Sequence, residues 1–112
     1  MGRNGNKMSM DKDIQHFIAA VSAAVSRYNA RAYLVNMRAL EARVTGSWEK
    51  GDLRVWILYE GNGEEVSILT QGKENVAQVW EDLGAEEKEL ERRMRAKREK
   101  LQKELQELEG AL

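Results

Sequence analysis

The chain has 112 residues, 42% hydrophobic and 33% charged, enough for one small core plus an extension and too little for two independent domains. Its 18 basic and 19 acidic residues leave a net charge of -1, so no overall field draws it to nucleic acid or to an acidic membrane surface, and any such attraction must come from local clustering. With no cysteine there are no disulfides, thiolate nucleophiles or thiolate-ligated metals, which fits a reducing compartment.

The opening "MGRNGNKMSM" lacks the apolar core of a secretory signal, and no apolar run approaches the roughly 20 residues that span a bilayer. The expectation is a cytoplasmic protein with no membrane partner. The Met-Gly start does not complete a myristoylation pattern, because Asn6 stands where Ser or Thr is wanted. Residues 1–9, polar and containing glycine, read as a flexible lead-in.

In the next stretch, Ile14, Phe17, Ile18, Val21, Ala24, Val25 and Tyr28 recur at helical spacing, with Asp11 and Asp13 placed to favour the start of an amphipathic helix. Asn29 reads as its break. Between Arg31 and Arg38 the spacing of Tyr33, Met37 and Leu40 suits a second short helix, whereas Tyr33, Val35 and Met37 also alternate as in a strand.

From Leu40 two turn clusters, "EKGD" and "GNG", separate three β-prone runs and predict a three-stranded antiparallel meander. A four-residue "EKGD" loop sets Trp48 opposite Leu53, Val44 opposite Ile57 and Ala42 opposite Tyr59. A two-residue turn at Asn62-Gly63, or at Gly61-Asn62, then puts Ala42, Val44, Val55, Ile57, Tyr59, Val66 and Ile68 on one apolar face, covered by the first helix. The other face carries Arg43, Thr45, Arg54, Trp56, Leu58, Ser67 and Leu69. Its apolar members need a cover, which could be the later helix, a second copy of the chain, or a different partner. Trp beside Arg is a common composition for interface anchors, so Trp56, Leu58, Leu69, Arg43 and Arg54 are the candidate protein-binding residues.

Farther on, Val76, Val79, Trp80 and Leu83 share one helical face, and Gly84 reads as a cap or hinge. Residues 85–112 are dense in helix formers and carry acid-before-base pairs four apart, such as Glu89/Arg93, Glu91/Arg95 and Glu99/Lys103. They predict a long exposed helical extension to a domain over residues 10–84. Leu101, Leu105, Leu108 and Leu112 form a coiled-coil-like seam that extends upstream to Met94, with Arg98 in the intervening position. These residues are the candidates for self-association, most simply as a homodimer.

Little in the chain points to catalysis. His16 is the sole histidine, no nucleophile motif surrounds any serine, and Glu86, Glu87, Glu89 and Glu91 sit among cations on a solvated helix instead of an enclosed pocket. "GNGEE" is too sparse for a Mg²⁺ or Ca²⁺ site, and its glycines suit a turn better than a phosphate cradle. No enzyme activity, cofactor or small-molecule substrate is expected.

One strong charge cluster remains, made of Arg92, Arg93, Arg95, Lys97, Arg98, Lys100 and Lys103 and interrupted only by Glu99. It could contact phosphates. The order helix, three antiparallel strands, helix over Ile14 to Leu83 also resembles, in outline, double-stranded-RNA-binding domains. In this chain "GKENVAQ" holds only Lys73 as a basic residue and "GSWEKG" lacks Pro and His, so none of that family's RNA-contacting residues is carried over. The sequence therefore points to an α+β protein-interaction module, as a small adaptor, assembly factor or inhibitor, with RNA or DNA binding through the basic segment as the alternative.

Overall fold

The structure is a computed structural model and describes residues 2–61, 63–69 and 74–112, with side chains for 12–61, 63–68 and 76–112. Its elements are α1 (Gly2–Ala32), a 3-10 turn (Tyr33–Val35), β1 (Leu40–Thr45), β2 (Arg54–Tyr59), β3 (Glu65–Leu69) and α2 (Glu74–Ala111). The three strands form one antiparallel sheet in chain order. The fold is α+β, as the sequence predicts.

α1 begins at Gly2, so residues 2–9 continue it and Asp11 and Asp13 lie inside the helix instead of at its start. Asn29 does not break it either. The helix runs on to Ala32, and its exit is made by the 3-10 turn and by Asn36, which adopts a left-handed φ of 59° and donates its N–H to the Tyr33 carbonyl. Arg31 to Arg38 is thus the end of one helix plus a cap, neither a separate α-helix nor a strand. Asn29 instead bonds across to the sheet, where its side-chain amide donates to the Leu40 carbonyl at 2.7 Å and accepts the Leu40 N–H at 2.8 Å. A helix side chain thereby satisfies both backbone groups of the first residue of β1.

The first hairpin is shifted two residues from the predicted register, with Leu40 opposite Tyr59, Ala42 opposite Ile57 and Val44 opposite Val55. The cause lies in the loop. Gly46 takes a φ of 79°, and an added Cβ there would run into the Asp52 carbonyl. The Asp52 carboxylate accepts the Ser47 N–H at 2.7 Å, and Gly51 N–H closes an inner turn on the Trp48 carbonyl at 3.1 Å. Trp48 therefore belongs to the loop and not to a ladder pair. A shift of two keeps every side chain of β1 and β2 on its predicted face.

β3 departs further. Val55 pairs with Leu69, Trp56 with Ile68 and Ile57 with Ser67, but a bulge between Ile57 and Leu58 makes Leu58 pair with Glu65. Directly paired residues share a face, so Ser67 lies on the face of Ile57 and Ile68 on the face of Trp56, the reverse of the predicted assignment. Asn62, on which the predicted turn depends, lies outside the described residues.

Both helices cover one face of the sheet. The core joins Val21, Val25, Tyr28 and Ala32 of α1, Leu40, Val55 and Ile57 of the sheet, and Val79, Leu83 and Leu90 of α2. Phe17 meets Trp80 edge to face at 5.8 Å, and Lys97 reaches the Leu34 carbonyl; contacts advance together along the two helices, which run in the same direction. α2 passes through Gly84 without a cap or a break. Its last core-facing residue is Met94, and every residue from Arg95 onward is exposed. At 1.5 Å per residue the remaining helix extends roughly 25 Å beyond the core, consistent with a longest dimension of 76 Å.

Candidate functional site

Three surfaces contain the residues singled out by the sequence. The outer face of the sheet places Arg43 directly opposite Trp56 and Glu41 opposite Leu58. Trp56 is half-buried, and its indole N–H donates to the Thr45 hydroxyl at 3.0 Å. Leu58 is only 4% exposed, so it offers almost no contact area. Arg43 is held by Glu41 at 3.1 Å, and Arg54 is exposed. The side chain of Leu69 lies outside the described residues. α2, a candidate cover for this face, instead sits beside α1 on the opposite one.

The second surface is the projecting half of α2. Leu101, Leu105 and Leu108 are 54%, 55% and 61% exposed, and Leu112 is fully exposed. They lie four, three and four residues apart on one side of the helix, and among the described residues only Leu34 and Val35 border this side, at its inner end. At its inner end this seam runs into a shallow groove of about 450 Å³ lined by Leu34, Val35, Met94, Arg98, Leu101 and Leu105. The seam is legible in the sequence but the contribution of the 3-10 turn is not, because Leu34 and Val35 lie roughly 60 residues away in the chain and reach it only through the side-by-side packing of α1 and α2.

The third surface is the basic segment of the same helix, and the structure divides it. Arg92 and Arg93 both turn back to Glu89, at 2.6 and 2.9 Å. Their hydrogen bonds lower the Glu89 carboxyl to about 2, and Glu89 in turn raises the Arg92 guanidinium. Lys97 donates to the Leu34 carbonyl at 2.5 Å. Among the described residues no carboxylate is in ion-pair contact with Arg95, Arg98, Lys100 or Lys103.

A fourth cluster, which the sequence did not reveal, joins the sheet to α2. The Tyr59 hydroxyl donates to Glu86, which, with some burial, raises the phenol to about 12. Arg38 lies 4.7 Å from the Tyr59 ring centre and pairs with Glu64 at 3.2 Å. Beside them burial raises the Tyr28 phenol. Every polar group here is engaged by a neighbour in the fold, so the cluster ties elements together. His16 is exposed on α1, and among the described residues no group of three or more His, Cys, Asp or Glu could hold a metal ion. Nor is any helix among the described residues long and apolar enough to cross a membrane. No family model matches the chain, and no curated protein or solved structure matches it.

Proposed function

We propose that this protein acts by binding another protein chain, its own included, through the projecting half of α2. The observation that carries this reading is the row Leu101, Leu105, Leu108 and Leu112, each more than half exposed on a helix that has left its core. Isolated surface leucines are ordinary, but a continuous apolar row on a free helix marks a contact surface. Helix-in-groove and coiled-coil contacts use this spacing. The outer sheet face, with Trp56 beside Arg43 and Arg54, is the secondary candidate; burial of Leu58 reduces what it can offer. An adaptor, assembly factor or inhibitor would use such surfaces. Light scattering on a Leu101→Ala, Leu105→Ala, Leu108→Ala variant tests the self-association half: lower mass than the parent at equal concentration supports it, and equal mass with intact helix content removes it.

Nucleic-acid binding is the second reading, favoured by Arg95, Arg98, Lys100 and Lys103, which make no ion pair among the described residues. Four phosphate contacts would give a salt dependence of roughly -3.6 in log K against log salt. No aromatic residue interleaves with these cations, so base stacking gains no platform there. Absence of duplex binding even at low salt would eliminate this reading.

A further inference from the structure

We infer that the surface the projecting half of α2 meets is the same helix of a second copy, running antiparallel. The inference rests on the protein-binding reading above and gives it a partner and a direction. Charge is distributed unevenly along the seam. Residues 92–103 carry Arg92, Arg93, Arg95, Lys97, Arg98, Lys100 and Lys103 against Glu99 alone, whereas residues 104–111 carry Glu104, Glu107 and Glu109 and no cation. The helix is therefore basic toward the core and acidic toward its tip, with one apolar row crossing both halves. Such a helix is complementary to its own reverse.

Taking Met94, Leu101 and Leu108 as one set of seam positions and Arg98, Leu105 and Leu112 as the other, the two directions of pairing have different consequences. Parallel pairing in register sets Arg98 beside Arg98 within the apolar layer and brings Glu104 of one copy to Glu109 of the other. Both contacts are repulsive, and the first buries charge against like charge. Antiparallel pairing about a point near Lys103 sets Leu105 against Leu101, Arg98 against Leu108 and Leu112 against Met94. It also brings Arg95 to Glu109 of the second copy, twice by symmetry, a two-fold arrangement in which each patch meets its equivalent.

The groove supplies the independent observation. Leu34 and Val35 form its wall at the level of Met94 to Leu101, where antiparallel pairing delivers Leu108 and Leu112 of the second copy. Parallel pairing would leave those tip leucines far from it. Leu34 is 40% exposed and would be covered by this contact.

Because the chain has no cysteine, single Cys variants of the full protein report directly on direction. Gln102 lies next to the proposed two-fold axis, whereas antiparallel pairing separates the two Ala111 residues by roughly 24 Å along the helix. With a short bis-maleimide, the inference expects covalent dimer from Gln102→Cys and monomer from Ala111→Cys. Dimer from both variants would mean parallel pairing, overturning the inference while self-association stands. Crosslinking of neither, with a single-chain mass by light scattering, would overturn both. A monomer retained by duplex nucleic acid at low salt would overturn the inference and assign the helix to phosphate contacts instead.

Discussion

The side-chain amide of Asn29 occupies the place of a neighbouring strand for Leu40, giving and receiving one hydrogen bond each at 2.7 and 2.8 Å. Leu40 is buried, so its N–H and C=O would otherwise lack partners where α1 crosses the first strand. Asn29→Ala should cost about 2–3 kcal/mol, since it leaves a buried donor and acceptor unsatisfied. Asn29→Asp should also destabilise, because the amide donor to the Leu40 carbonyl is lost. Urea unfolding checks this: a lower midpoint with an unchanged slope is expected.

Tyr59 links stability to alkaline pH. Its phenol is raised from 10.0 to about 12 because it donates to Glu86. Between these values the unfolded chain releases the proton while the folded chain keeps it, so the contribution is complete below pH 10 and fades as pH rises toward 12. The parent should lose more stability than Tyr59→Phe over that window. At neutral pH the substitution should cost about 1 kcal/mol. Parallel denaturant curves at pH 7 and at stepped alkaline pH test both statements.

On the outer sheet face, packing and charge should separate cleanly. Leu58→Ala should cost about 2–4 kcal/mol because the side chain is buried. Arg43→Ala and Arg54→Ala, at exposed positions, should stay within about 0.5 kcal/mol. Thermal unfolding of the three variants distinguishes a residue buried in the fold from two exposed ones, of which Arg43 makes only a surface ion pair with Glu41.

Ser67 is the reverse case. Its hydroxyl is buried with no hydrogen-bond partner among the described residues, on the core side of β3. Ser67→Ala should therefore stabilise by about 1 kcal/mol, seen as a raised midpoint in urea.

These particular residues show how much the sequence reveals. The amphipathic spacing from Ile14 to Tyr28 locates the core face of α1, and the period-two geometry of β1 and β2 assigns their faces even though β2 is apolar from Val55 to Tyr59 and the loop is longer than expected. Gly46 and Asp52 decide that loop through a close backbone approach, which residue spacing does not encode. The bulge between Ile57 and Leu58 exchanges the faces of Ser67 and Ile68 for a similar reason, since a single unpaired residue changes the phase of a period-two pattern, while Val66 still packs against the core as its spacing predicts. Asn29 and Gly84 read locally as breaks, yet tertiary packing carries the helices through both. In α2, leucine spacing identifies the seam, whereas the groove at Leu34 and Val35 joins residues distant in sequence.

Sedimentation equilibrium of the full chain over a wide concentration range tests the central claim most directly. The account predicts a mass that rises toward twice that of one chain, with the Leu101→Ala, Leu105→Ala, Leu108→Ala variant shifted to higher concentration. A single-chain mass throughout, the same for parent and variant, would contradict it.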